Sequence, residues 1–360
     1  MSSNRILVGM SGGVDSSAVC ILLQEQGYEV VGATLRMWEH GSCNEEPAFI
    51  ADARNLAIRL GIEHHVIDIR KEFKDGVIAS FIDEYMHGRT PNPCVVCNPN
   101  FKWKALLDCA DTLGCKMIAT GHYVNIIEEN GKFFIEEGGD SGKDQSYFLW
   151  GLSQEQLSRT VFPLGKLIKK DVKELMRERG FTQSADKSES MEICFIEKDY
   201  RTFLRDNVEN IDERYAGGFF VDNLGKRLGQ HKGFPFYTIG QRKGLEIALG
   251  RPAYVTKINP LKNTVKLGFE EDLLCNGIRL SNCKFVDDSL LSSSDLVVRI
   301  RYRGTPYGVK RIESDEKGIK VILNSPASAV APGQSAVFYI GNRLVGGGFI
   351  EAPLSEHEII

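Results

Sequence analysis

Residues 5–25 read RILVGMSGGVDSSAVCILLQE, and the fold of the N-terminal half is decided there. Residues 5–10 are a short apolar run of strand type. Ser11, Gly12 and Gly13 interrupt it. Beyond them Val14, Ala18, Ile21, Leu22 and Glu25 fall at helical spacing, and Gly27 suits the position just past a helix end. A strand, a glycine loop and a helix in this order let backbone N–H groups approach a phosphate, while the helix N-terminus adds partial positive charge. The loop is not a Walker A loop, because no Gly-Lys-Ser/Thr follows. It is not a dinucleotide fingerprint either, since G-x-G-x-x-G is absent.

Working outward, the same alternation repeats. Residues 29–37 (EVVGATLRM) are a second strand. Residues 45–61 are helical with Gly61 as the stop, and 64–69 (HHVIDI) are a third strand. Helices are expected over 71–86 and 101–113, then a fourth strand over 116–120 (KMIAT). Strands alternating with helices of this length predict βαβ units, hence a parallel sheet with helices on both faces. After about residue 205 the texture changes. Gly217, Gly218, Gly225, Gly229, Gly233, Gly240, Gly244 and Gly250 crowd the chain and helical periods vanish. From about Gly277, short alternating runs such as DLVVRIRYRG, YGVKRIES and KGIKVILN, with close turn signals, predict an antiparallel barrel or sandwich. Three domains follow: α/β, a small glycine-rich middle, and an all-β tail.

The whole-chain numbers agree. At about 150 residues per domain, 360 residues make two or three domains. With 42% apolar and 26% charged residues the chain is neither disordered nor fibrous. No apolar run reaches the ~18 residues of a membrane span. The start, MSSNRILVGMSGG, lacks a charged n-region and a long apolar h-region, so a cytoplasmic protein with no membrane partner is expected. Nine cysteines, an odd number in such a chain, argue against a disulfide framework. Net charge −4 gives no global attraction to nucleic acid; such a partner would need local basic patches.

The full loop SGGVDSS resembles that of the PP-loop ATP pyrophosphatases, which cleave the α–β bond of ATP, leave AMP on a substrate and release pyrophosphate. More motifs follow in chain order: Met37-Trp38 ending the second strand, TPNPCVVCN at 90–98, TGHY at 120–123, KDQSYFL at 143–149, MEICFI at 191–196 and YTIGQRKGL at 237–245. Together they resemble the tRNA-specific 2-thiouridylases. The resemblance implies a doubly wound parallel sheet of adenine nucleotide alpha hydrolase type in 1–205, a small central tRNA-contacting domain in 206–272, and a C-terminal antiparallel β-barrel that binds tRNA in 273–360. It implies ATP-dependent 2-thiolation of the wobble uridine, with ATP and Mg2+, the tRNA anticodon region, and a sulfur-donor protein or cysteine desulfurase relay. Gly9, Met10, Ser11, Gly12, Gly13, Val14, Asp15 and Ser16 are then the phosphate residues, and Met37 and Gly121 the nucleoside residues.

Read without that family, Cys94-x-x-Cys97 followed by Cys109 and Cys115 leaves a zinc site open, although Cys109 and Cys115 fall on and just after a core-like helix. Buried, inert cysteine suits those two, and Cys20, Cys43, Cys275 and Cys283 as well. The resemblance implies chemistry for two others. Cys194 matches the cysteine that carries a persulfide, and Cys97, in a Pro-rich loop with Pro91, Pro93 and Pro99, matches the second catalytic cysteine. Adenylation would turn the uracil C2 oxygen into part of a good leaving group, AMP. The outer persulfide sulfur would attack C2, and Cys97 would break the S–S link by thiolate exchange, leaving a Cys97–Cys194 disulfide. Release of hydrosulfide by Cys97 before the attack uses the same residues. Where the family often has Asp three positions before the catalytic cysteine, this chain has Cys94; a third thiol there could assist proton transfer, and a redox pair or metal half-site also stays open.

Two acid-free basic stretches stand out. Lys226, Arg227, Lys232, Arg242 and Lys243 lie between Asn223 and Leu245; Arg299, Arg301, Arg303, Lys310 and Arg311 lie between Leu296 and Ile312. Alternation in VRIRYR predicts one strand face for the first three arginines of the second stretch. Such patches suit a phosphate backbone. The resemblance assigns tRNA contact to His122, Lys143, Asp144, Gln145, Arg301, Tyr302 and Gln334, and target-base contact to Asn92, Pro93 and Cys94. A target base must leave its stack to reach such a site. His65, His87 and Trp103 are read as packing or surface residues. Another adenylating enzyme, such as an amidotransferase-type synthetase or an iron–sulfur-dependent thiolase, and a zinc-containing RNA-binding module are the competing readings.

Overall fold

The computed structural model describes residues 4–39, 46–182, 186 and 193–359. Cys43 and the Met191-Glu192 start of one motif lie outside them. The chain packs as two compact units. One gathers 1–77, 94–195 and 342–345; the other gathers 78–93, 196–341 and 346–360.

The first unit is built on a parallel sheet of β1 (Arg5–Gly9), β2 (Glu29–Arg36), β3 (Glu63–Asp68), β4 (Met117–Ala119) and β7 (Thr160–Val161), in the order β3-β2-β1-β4-β7. Ile6, Leu7 and Val8 of β1 are fully buried, as a central strand covered on both faces must be. Each such side chain contributes roughly 1.5–3 kcal/mol through burial. Helix α1 (Val14–Glu25) lays Val14, Ala18, Val19, Ile21 and Leu23 on the sheet. It ends as the sequence predicts, with Gly27 in the left-handed region at φ 85°. Helix α2 (Ala48–Leu60) ends on Gly61 at φ 65°. The strand order reverses between β2 and β4 on either side of β1, and in such sheets ligands bind at the C-terminal strand ends where this happens.

The two expected helices are present with π-helical segments inside or before them, and two local placements are corrected, Cys97 in a loop and Met37 at a strand end. The helix expected over 71–86 is α3 (Arg70–Phe73), a π-helical segment Lys74–Ile78 and α4 (Ala79–Met86). The helix expected over 101–113 is preceded by α5 (Pro93–Cys97) and a π-helical segment Asn98–Lys102, and α6 proper is Trp103–Thr112. Cys97 therefore sits on a short helix and not in a loop. Proline at a first helical position lacks only an N–H that would go unused, so Pro93 starts a turn instead of preventing one. Met37 lies one residue past the end of β2. A hairpin of β5 (Val124–Glu129) and β6 (Lys132–Glu137) was missed, although Asn130 at φ 52° and Gly131 at φ 72° are the left-handed pair that a tight hairpin turn requires.

The second unit holds two sheets. The smaller has β8 (Gly218–Val221), β9 (Arg227–His231), β10 (Tyr254–Asn259) and β11 (Thr264–Gly268) in the order β10-β11-β8-β9. The larger is an antiparallel barrel of β12 (Leu274–Phe285), β13 (Leu296–Arg299), β14 (Tyr307–Asp315), β15 (Gly318–Ser328), β16 (Ser335–Ile340) and β17 (Arg343–Pro353), closed by pairing of β12 with β17. The barrel alternative is thus the correct one for the tail. The single strand face for Arg299, Arg301 and Arg303 is overturned. β13 stops at Arg299, and Arg303 turns at φ 57°. Gly304 follows in that turn, where strand periodicity no longer applies.

Candidate active site

The phosphate loop leaves β1 at Gly9 and enters α1 at Val14. Gly12 has φ 71°, and a Cβ there would stand 2.4 Å from the Phe49 carbonyl oxygen, so only glycine fits. Gly13 caps α1 without any side-chain cap bond, which leaves the first N–H groups of the helix facing the loop. The serines brace the loop from within: the Ser11 N–H donates to Ser16 Oγ at 3.1 Å, and the Ser16 and Ser17 hydroxyls donate to the Gly13 carbonyl at 3.2 and 2.8 Å. Met10 is buried, and its N–H donates to the Ala33 carbonyl at 2.7 Å, fixing the loop to β2.

Asp15 does not point into open solvent. Its carboxylate accepts from Lys169 Nζ at 2.6 and 2.7 Å and from the Tyr123 hydroxyl at 2.8 Å. Lys169, buried at the start of α7 (Lys169–Glu178), was not singled out in the sequence, where nothing in the spacing of 165–170 ties it to residue 15. Gly121, just past β4, closes on the same turn. A Cβ there would meet Asp15 Cβ at 3.0 Å and the Ser16 nitrogen at 3.1 Å. Any side chain at 121 would press on the phosphate end of α1.

His122 leads from this loop to the thiols. Its Nδ1 is 2.8 Å from Thr120 Oγ1, and its ring packs on Trp103 at 5.4 Å. Burial, aided by the Lys102 charge, holds its pKa well below the usual histidine value, so it is neutral at pH 7. Trp103 is fully buried and donates to Thr160 Oγ1 at 2.9 Å, a packing role as expected. His65 and His87 are bonded to Glu63 and to the Asp83 carbonyl at the surface.

Cys94 and Cys97 lie on α5, and Cys194 lies about a hundred residues later. Burial pushes the Cys97 thiol up to about 11. Lys102 opposes it through its charge and its backbone N–H, and Cys94 adds to it. Burial likewise raises Cys94. Cys194 is exposed, so water tempers a shift that the surrounding protein, with Cys94 and Cys97, drives up to about 12. The three thiols thus feel one another, and Lys102 is the cation common to all three. Lys102 too was missed in the sequence. Its signal is its place five residues past Cys97, across a π-helical segment of the kind often found at functional sites.

The segment 143–149 props this helix. The Asn98 amide donates to the Phe148 carbonyl at 3.0 Å. The Asp144 carboxylate is buried and accepts from Gly138 N–H at 3.0 Å and from the Ser146 hydroxyl at 2.8 Å. Gln145 Oε1 accepts from Tyr123 N–H at 3.1 Å. Asp144 and Gln145 therefore hold the loop itself, with Lys143 half-buried beside them.

In the second unit, Gln334 Nε2 donates to the Thr90 and Pro91 carbonyls at 2.9 and 3.3 Å, which fastens the backbone leading to Asn92 and Pro93. Arg301 is exposed and Tyr302 half-buried in the turn after β13; Arg303 lies over the Tyr302 ring at 5.0 Å. Cys20 and Cys115 are buried, and Cys109, Cys275 and Cys283 partly so. Among the described residues no group of three or more His, Cys, Asp or Glu side chains could hold a metal ion. Among them also, no helix is long and apolar enough to cross a membrane.

A parallel sheet in the order β3-β2-β1-β4-β7 with a glycine loop at its switch point, followed by two β domains, defines the class. Residues 4–198 match the family described as "tRNA methyl transferase HUP domain", 202–268 the "tRNA methyl transferase PRC-barrel domain", and 275–350 the "Aminomethyltransferase beta-barrel domain". The chain is 56% identical to tRNA-specific 2-thiouridylase MnmA 3 of Phocaeicola vulgatus, over 96% of this chain and 94% of that one. It is 48% identical to tRNA-specific 2-thiouridylase MnmA of Amoebophilus asiaticus, over 99% and 97%. The chain belongs to the tRNA-specific 2-thiouridylase family, and it is an enzyme of tRNA thiolation.

Proposed function

We propose that this enzyme thiolates C2 of the wobble uridine of tRNA at the expense of ATP, releasing AMP and pyrophosphate. The observation that carries the reading is the adjacency of Gly121 and His122: Gly121 abuts the phosphate turn, and His122 lies in the electrostatic neighbourhood of Lys102, the cation shared by the three thiols. A nucleotide in the loop and the sulfurs of the thiol cluster would meet there. Residues Gly9 to Ser16 bind the triphosphate through loop N–H groups and the helix end, and Met37 and Gly121 border the nucleoside. Mg2+ is ordinarily held by substrate phosphates with one or two carboxylates. Asp15 is the carboxylate that fits that part here, and Lys169 holds it in place.

The uracil C2 oxygen attacks the α-phosphate and pyrophosphate leaves. The outer sulfur of a Cys194 persulfide then attacks C2 and AMP leaves. Cys97 attacks the inner sulfur, the S–S bond to the base breaks, and the thiolated uridine departs with a Cys97–Cys194 disulfide behind it. A thiol held near 11 or 12 is a weak nucleophile at pH 7, whereas a persulfide is more acidic; this is a reason for the enzyme to carry sulfur in that form. A sulfur-donor protein or cysteine desulfurase relay would load Cys194, the most exposed of the three. The three-domain division at 205 and 272 belongs to the same proposal, with Asn92, Pro93 and Cys94 at the target base. His122, Lys143, Arg301, Tyr302 and Gln334 lie along the tRNA, with Asp144 and Gln145 shaping the loop beside it.

Mass spectrometry of nucleosides from tRNA incubated with ATP and a sulfur donor tests this. Wild type should yield 2-thiouridine at position 34, and Cys97→Ser or Cys194→Ser none. Near-normal thiolation by either variant would overturn the mechanism.

A further inference from the structure

Helix α5 presents two thiols where the sulfur chemistry above uses one. Cys94 and Cys97 are three residues apart on a helix, so they share a face. The helical rise and radius put their Cα atoms ~5 Å apart. That lies within the roughly 4.4–6.8 Å that a disulfide spans. Cys194 is close enough to both for their charges to act on it. The burial is graded: Cys97 is buried, Cys94 half-buried, Cys194 exposed. Once a Cys97–Cys194 disulfide has formed, the sulfur carrier is locked to a buried partner, and the remaining thiol of the cluster sits one helical turn from that partner's sulfur.

We propose that Cys94 is an exchange thiol: it opens the Cys97–Cys194 disulfide, moves the S–S bond into α5, and frees Cys194 to take its next sulfur. The inference rests on the persulfide reading above. Cys94, having given its proton to solvent, attacks Cys97 Sγ. The Cys94–Cys97 bond forms, the Cys97–Cys194 bond breaks, and the electron pair leaves on Cys194 Sγ, which takes a proton from solvent. One disulfide replaces another, with no net oxidation. Two electrons from a dithiol reductant, of the thioredoxin class or dithiothreitol, later return Cys94 and Cys97 to thiols. Geometry favours this direction, because the attacking sulfur is preset on the same helix as the sulfur it attacks.

The test uses the full-length enzyme with tRNA, ATP and inorganic polysulfide as sulfur source, without reductant. After one turnover it is quenched in acid, alkylated with N-ethylmaleimide and peptide-mapped. Wild type should show a Cys94–Cys97 disulfide and an alkylated Cys194. Cys94→Ser and Cys94→Ala should both retain Cys97–Cys194, with alkylation of Cys194 at least about tenfold lower. A wild-type product holding only Cys97–Cys194 overturns the exchange and leaves the persulfide mechanism standing. Thiolation with no disulfide at Cys97 in any variant overturns the mechanism beneath it. A visible iron–sulfur absorption band, with all three thiols protected from alkylation, also overturns the exchange, since Cys94 would then be a cluster ligand.

Discussion

The phosphate loop and the thiol cluster belong to one unit and are built in opposite ways. The loop is contiguous in sequence, braced by its own serines, tied to β2 and pressed by Gly121, so its N–H groups are aimed by the fold. The cluster is assembled from α5, the π-helical turn after it and Cys194 a hundred residues on, and burial keeps its thiols protonated. A site that must bind a ready-made polyanion profits from a rigid cradle. One that must hold a reactive sulfur only during a transfer profits from thiols that are quiet until then. If this division holds, damage to one region should leave the other intact.

Gly12→Ala should break it hardest. The added methyl must occupy a left-handed backbone conformation and meet the Phe49 carbonyl at 2.4 Å. Strain and displaced N–H groups together cost about 3 kcal/mol, or about a hundredfold in ATP affinity. Calorimetric titration with ATP measures this. Iodoacetamide alkylation of Cys97 in the same variant should stay within about twofold of wild type; a parallel loss would show that the two regions are one.

Lys169→Met probes the support under the loop. It strips the cation from a carboxylate that is only partly exposed, and a bond to a charged group of this kind is worth about 2 kcal/mol. The expected result is a lower denaturation midpoint and ATP affinity weaker by about tenfold. Lys169→Arg, which keeps the charge, should recover most of it. An unchanged affinity would mean that Asp15 needs no holding.

The same contrast explains what could be read in advance. The loop, its strand and helix, Gly27 and Gly61 as stops, and the alternating strands of the barrel all follow from local periodicity and backbone freedom. Cys97 and Cys194 were reached only through resemblance, since nothing local joins residues so far apart. Lys169 acquires its part from tertiary packing alone, while Lys102 follows Cys97 on the same helical run, a signal too weak to read without the structure. The π-helical segments escaped because a one-residue wider turn barely alters an apolar pattern. Arg303 escaped because its left-handed turn looks, in sequence, like one more step of a strand.

The smallest effect concerns Lys102, which tests whether the cluster is tuned or merely buried. With the Cys97 thiol at about 11, about one molecule in ten thousand carries the thiolate at pH 7. The raised value means that the protonated form dominates throughout the neutral range. Alkylation of Cys97 should therefore climb about tenfold per pH unit from 7 to 9 without levelling. Lys102 opposes the burial by charge and by its N–H. Lys102→Gln removes the charge but keeps the backbone donor, so the profile should move to higher pH, lowering the rate about threefold at pH 8 with the slope unchanged. Lys102→Arg, which keeps the charge, should restore it, and Lys102→Met, which keeps most of the aliphatic stem without the charge, should not. A profile that levels near pH 8, or one indifferent to Lys102→Gln, would show that the thiol is not held up by burial against this cation.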